Sequence, residues 1–204
     1  MKATQTLPLN YVPSGKFDQK NMKQVIWMNV VGFFIFIFSI WLFSWLLTQI
    51  RPETGNLFQF QVSRLSTIAI SLVMILFTIV FVLILHEALH AFFFWLFSKQ
   101  KPIIGFKGVF AYASLPGWYF PRNQYLMIEI APLVFITLTG ILLIFLMPAS
   151  VLYLVLIALI INNSGAVGDI FVVVGLLTKP TATYALDEVD TIEFFVPDQT
   201  PSLE

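Results

Sequence analysis

The sequence predicts an all-α polytopic membrane protein with four transmembrane helices, and three observations predict it. Apolar residues make up 58% of the 204-residue chain and charged residues 11%, against roughly a quarter charged in soluble domains. The apolar residues gather into four long runs, about 25–50, 66–97, 124–147 and 151–177, and a membrane helix needs about 20. Polar residues, prolines and turn signals collect between the runs. The chain then divides into a polar N-terminal segment (1–24), a four-span membrane domain (25–177) and an acidic, proline-containing tail (178–204). Such a tail is expected to be solvated and partly disordered.

The first run, Val25 to Ile50, carries no charge. It is too long for a signal-peptide core and no small-residue cleavage site follows, so it reads as a retained span. Trp27 and Trp45 lie near its ends, as interfacial aromatics do. A short polar loop, Arg51 to Arg64, leads to a second run longer than a bilayer requires, which predicts tilt or projection beyond the apolar layer. The longest connection is Ser98 to Asn123. Within it, Ile103–Lys107 and Val109–Leu115 read as a small β-hairpin around Gly108. Pro148-Ala149-Ser150 forms a tight turn between the third and fourth runs. The fourth is interrupted by Asn162-Asn163-Ser164-Gly165 and by Gly168-Asp169.

Four spans place both termini on one side. That side carries nine of the eleven Lys and Arg residues, so the termini are expected to be cytoplasmic and the protein multi-pass in the cell membrane. The formal net charge is zero, which speaks against a nucleic-acid partner.

The chemistry concentrates in the second run, at His86-Glu87-Ala88-Leu89-His90. Residues four apart share a helix face, so His86 and His90 can offer two imidazole nitrogens to one metal ion. Glu87 projects beside them, where it can hold a water without being a ligand; this is the pattern of a zinc hydrolase. The chain's two histidines are both in this motif, and it has no cysteine, so a metal must be held by His, carboxylates and water. A lone intramembrane His is more often a packing residue. Two at this spacing, with Glu between them in a segment where charge is costly, point to a site.

The spans contain only three acidic residues, Glu87, Glu129 and Asp169. With Glu87 as general base, Glu129 and Asp169 remain for the third ligand. His86 lies about 30 Å along its helix from the outer boundary and Asp169 about 27 Å, at roughly 1.5 Å per residue. Glu129 reaches a similar level, so all three lie near the cytoplasmic edge and depth does not choose. Weak helix-forming residues before Asp169 favour it, because non-helical backbone at membrane depth lines cavities. Glu129 is the alternative ligand or a partner to an imidazole N–H. Asn162 and Asn163 can donate to an oxyanion or to substrate, or bond between helices. The aromatic group Phe92-Phe93-Phe94-Trp95 reads as lipid-facing or packing surface.

With these residues in place, the sequence resembles the zincin peptidase family DUF3267. The resemblance covers about residues 80–175 and rests on His86-Glu-Ala-Leu-His90-Ala, Ala131-Pro132-Leu133, Asn163-Ser-Gly and Gly168-Asp169. More distantly the chain is similar to the site-2 intramembrane metalloproteases, whose H-E-x-x-H is completed by an Asp from a later span. That likeness implies a ligand role for Asp169, although here Gly168 precedes and Ile170 follows it and no proline intervenes. What the resemblance implies is a membrane-embedded zinc metallopeptidase. It would hold one zinc per chain on His86, His90 and Asp169, with Glu87 as general base and the site near the cytoplasmic face. Its partners would be the bilayer and a protein or peptide substrate that is itself membrane-associated. The competing class is a non-catalytic metal-binding membrane adaptor or chaperone. A redox or di-iron enzyme would need more His and carboxylate ligands than the chain supplies.

Overall fold

The computed structural model describes residues 1–54, 65–107 and 110–198. Part of the polar loop (55–64, with Arg64), the expected hairpin turn at Gly108 and the end of the tail (199–204) lie outside the described residues.

The long helices are α1 (Met22–Ile50), α2 (Leu65–Ser98) and α3 (Arg122–Leu146). Each is long and apolar enough to cross a membrane. A further pair, α4 (Leu152–Gly165) and α5 (Val167–Leu177), is bent by 43° at Ala166 and passes the same test when taken as one span. Runs as rich in Ile, Val and Phe as α2 would favour strands in water. In an apolar layer the helix satisfies every backbone group within one segment. At 34 residues α2 is about 51 Å long, well beyond an apolar layer of about 30 Å.

Local chemistry sets the helix ends. Asn21 caps α1, its Oδ1 accepting from the N–H groups of Lys23 and Gln24. At the end of α2, Lys99 turns left-handed (φ 59°) and its N–H reaches the Trp95 carbonyl at 2.8 Å. Its ammonium lies 5.1 Å from the centre of the Trp95 ring, a cation–π contact.

The chain is mostly helical, as expected, but it carries more strand than one small hairpin, and part of the tail expected to be solvated and partly disordered is in strands. Strands β1 (Tyr11–Asp18), β4 (Tyr119–Pro121), β5 (Tyr184–Asp187) and β6 (Thr191–Pro197) form one antiparallel sheet in the order β1-β6-β5-β4. Its strands come from residues 11–18, 119–121 and 184–197, and Tyr11 pairs with Pro197. β5 and β6 pair locally as a hairpin, but β1 and β4 join them only through long-range pairing, which leaves little local signature. β1 also carries Pro13 and Gly15 at a register shift, residues that argue against a central strand and here mark an edge. A second sheet pairs β2 (Ile103–Lys107) with β3 (Phe110–Ser114), antiparallel, with Gly105 opposite Tyr112. A Cβ on Gly105 would stand 2.8 Å from the Tyr112 hydroxyl, so the ring needs glycine beneath it.

The chain forms two compact units. One comprises residues 1–28, 87–131 and 168–204. Its core packs Phe94, Phe120, Tyr125, Ile128, Val172, Leu176 and Phe194 together. There Arg122 closes the end of α5 by donating to the carbonyls of Leu176 (3.0 Å) and Leu177 (3.1 Å). The other unit comprises 29–86 and 132–167, with a core of Phe43, Leu47, Ile144, Leu152, Val155, Leu156, Leu159 and Ile160. There Arg51 caps α3 by donating to the carbonyls of Ile144 (3.1 Å) and Met147 (3.0 Å).

In that second unit α3 and α4 approach closely at Gly140. A Cβ there would stand 2.5 Å from a methyl of Leu159, which is fully buried and cannot swing aside. Small residues allow such approaches between membrane helices. Gly140→Val should therefore lower stability by about 1–3 kcal/mol, the usual cost of overpacking. Thermal unfolding in detergent checks this, and an unchanged midpoint would contradict the close packing.

Candidate metal centre

His86 and His90 stand one turn apart on α2, both buried. The border between the two units falls between His86 and Glu87, but the helix is unbroken there, so their spacing is a property of one helix. Asp169 comes from the first turn of α5, just past the bend. A carboxylate is favoured there by the partial positive charge of the helix start. The Nε2 of His90 and Oδ2 of Asp169 are 3.7 Å apart.

The far side of each imidazole is fixed. His90 Nδ1 lies 2.9 Å from the carbonyl oxygen of Ile128. A carbonyl only accepts, so Nδ1 carries an N–H and Nε2 is the nitrogen that faces Asp169. His86 Nδ1 lies 3.1 Å from Asn162 Oδ1, and Asn162 Nδ2 donates to the Pro132 carbonyl at 3.4 Å. With the amide nitrogen turned to that carbonyl, the amide oxygen is left to accept from His86. Both rings therefore present Nε2 as the donor atom, each held by a partner to its other nitrogen, as metal-binding histidines are.

A cavity of ≈ 120 Å³ opens beside these groups within the first unit, lined among others by Glu87, His90, Glu129 and Asp169. Ala111, Tyr112 and Ala113 on β3 also line it, as do Gln19, Asp187, Val189 and Ile192. Asp187 is buried and richly bonded: Oδ1 accepts from Ser114 Oγ (2.9 Å) and the Val189 N–H (3.0 Å), and Oδ2 from the Tyr125 hydroxyl (3.0 Å). Burial pushes its carboxyl above the usual range, and these three bonds pull it back.

Of the residues singled out from the sequence, Asp169 stands against His90 and Glu129 lines the same cavity, buried. Asn162 is directed to His86. Asn163 donates to Thr137 Oγ1 (3.1 Å) on α3 and to the Leu159 carbonyl (2.9 Å). Phe94 is buried in the core beside Phe120 and Tyr125, while Phe92 and Trp95 are exposed. Sequence reasoning did not find the Ile128 carbonyl, although Pro132 four residues later signals it. It also missed Asp187, Val189 and Ile192, for which no local signal exists.

The donor set fits zinc. Two nitrogens and a carboxylate oxygen are the ligands of many catalytic sites, and tetrahedral bonds of about 2.0–2.1 Å put ligand atoms about 3.3 Å apart. Small side-chain adjustments cover the difference from 3.7 Å.

No curated protein and no solved structure matches the chain. A family model does, over residues 79–184, more than half of the sequence: DUF3267, described as "putative zincin peptidase". The match spans the whole of the histidine motif, Pro132, Asn162 and Asp169, and the chain belongs to the DUF3267 zincin peptidase family.

Proposed function

We propose that this protein is a membrane-embedded zinc metallopeptidase that hydrolyses peptide bonds of membrane or membrane-proximal proteins. The observation that carries the reading is that His90 Nε2 stands 3.7 Å from Asp169 Oδ2, with His86 one turn before His90 on the same helix and Glu87 on the cavity beside His90 and Asp169. His86, His90 and Asp169 would hold the ion. Zinc bound there supplies Lewis acidity and lowers the pKa of water, which makes a nucleophile at neutral pH. Glu87 is the group placed to accept a proton from the attacking water and to return it to the leaving amine. Asn162 orients His86, and Asn163 bonds α4 to α3.

Purified protein should carry about one zinc per chain, as a single three-ligand site does. His90→Ala should lose most of it, and Asp169→Ala should lose more than Glu129→Ala. Asn162→Leu should weaken affinity about 10–100-fold, the usual effect of removing a partner to a ligand. Glu87→Gln should keep zinc and lose about 10²–10⁴-fold in cleavage rate. Equal zinc in wild type and His90→Ala would reject the site. Full zinc in a wild type that cleaves nothing would favour a non-catalytic binding protein.

The site belongs near the cytoplasmic face of the cell membrane if α4 and α5 together make the fourth span. The charge distribution supports that placement. A cysteine replacing Lys101 should then be labelled only from the cytoplasm, and one replacing Ser150 only from outside. Labelling of both from one side would overturn the four-span topology.

Peptide bonds within a helix are shielded, so a substrate must be extended to be cut. β3 pairs with β2 on one edge, and its residues 111–113 line the cavity. Among the described residues no strand covers its other edge. That edge can take a substrate strand by main-chain hydrogen bonding. Ala111→Pro removes a main-chain donor. Cleavage should fall by up to about 10-fold, the worth of one hydrogen bond, while bound zinc stays at the wild-type level. Undiminished cleavage in the zinc-loaded variant would count against strand docking.

A further inference from the structure

We infer that Pro132 is a positioning residue for the metal ligand His90, and that it acts by withholding a backbone N–H. In an α-helix the N–H of residue 132 would bond the carbonyl of residue 128. Proline has no N–H, and its ring pushes that carbonyl off the helix line. α3 continues unbroken through Pro132, so Ile128 is left with a carbonyl that the helix does not use. His90 Nδ1 lies 2.9 Å from that oxygen. Ile128, Pro132 and His90 are all buried, so water is a poor substitute on either side of the bond. A carbonyl buried without a donor is costly, and so is an imidazole N–H without an acceptor. Each satisfies the other.

The consequence for the site is directional. The Ile128 carbonyl holds a proton on Nδ1 and the ring in one orientation, which leaves Nε2 toward Asp169, 3.7 Å away. His86 is held differently, by the side-chain amide of Asn162. One ligand thus depends on a side chain that mutation can remove. The other depends on a backbone group that only an imino acid four residues later makes available. An N–H at position 132 would compete for the Ile128 oxygen, loosen the ring and allow the proton onto Nε2, where it blocks coordination.

This inference rests on the zinc site proposed above, and the test separates the two. Pro132→Ala restores the N–H. Lactic acid introduced at position 132 by nonsense suppression carries the same methyl side chain on an ester, which has no N–H. Loss of the buried ring is common to both, so any difference between them reports the N–H. Zinc affinity is measured by chelator competition on the full chain in detergent. The His90 side-chain ¹⁵N shifts of zinc-free protein report the tautomer without any turnover.

The Ala protein should bind zinc about 10–100-fold more weakly than the lactate protein and show a mixture of tautomers. The lactate protein should keep the Nδ1–H form, as wild type does. Equal affinity and equal tautomer in the Ala and lactate proteins would overturn the role of the withheld N–H, whether both match wild type or both fall below it. A wild type that binds no zinc, yet shows the tautomer difference between the two variants, would reject the metal site and leave the Pro132–His90 coupling standing.

Discussion

The structure of the site depends on one constraint. An imidazole buried in apolar surroundings must have an acceptor for its second nitrogen, or it will not stay in one tautomer. His86 and His90 meet that need on different helices. His86 is tied to α4 through Asn162, and His90 to α3 through the Ile128 carbonyl. A helix interior offers no unused acceptor, since its carbonyls are already bonded. The chain finds two acceptors by placing a side-chain amide on α4 and a proline in α3. Pro132 would be a defect by helix propensity alone. Beside His90 it leaves an acceptor that the buried imidazole uses.

Asp169 follows the same logic from the other direction. A carboxylate within an apolar span is costly, and a regular helix would give it no compensating partner. The bend at Ala166 starts a new helix two residues before Asp169, so the acid sits in a first turn whose field favours it and faces His90. The bend thus provides a helix start where an acid is needed. It also leaves Asn162 in the preceding helix, free to serve His86.

The tail changes the picture of the cavity. Its strands β5 and β6 complete a sheet with β1 and β4. The turn between β5 and β6 carries Asp187 and Val189 to the cavity wall. Val189 is held at φ 67°, a left-handed conformation that β-branched residues strongly disfavour. Asp187 accounts for how the turn is held, because it bonds Ser114, Tyr125 and the Val189 N–H together. A segment acidic enough to read as solvent-exposed therefore buries one of its acids as a structural tie.

The sequence by itself determined what local chemistry can determine. Long apolar runs have one stable form in an apolar layer, so the helices of 22–50, 65–98 and 122–146 were legible, as was the interruption before Asp169. The four-residue spacing of His86 and His90 fixes a shared helix face without further information. Only the tertiary structure decided the rest. Asp169 and Glu129 were equivalent by depth; in the fold Asp169 stands 3.7 Å from His90 and Glu129 lines the same cavity. The four-stranded sheet depends on pairing residues 11–18 with 191–197, and neither strand shows its partner in its own pattern. Bonding between helices was open to Asn162 from the sequence, but its partner His86 was not, nor was the role of Pro132: a hydrogen-bond acceptor has meaning only when the donor arrives, and His86 and His90 arrive from residues 76 and 38 positions away.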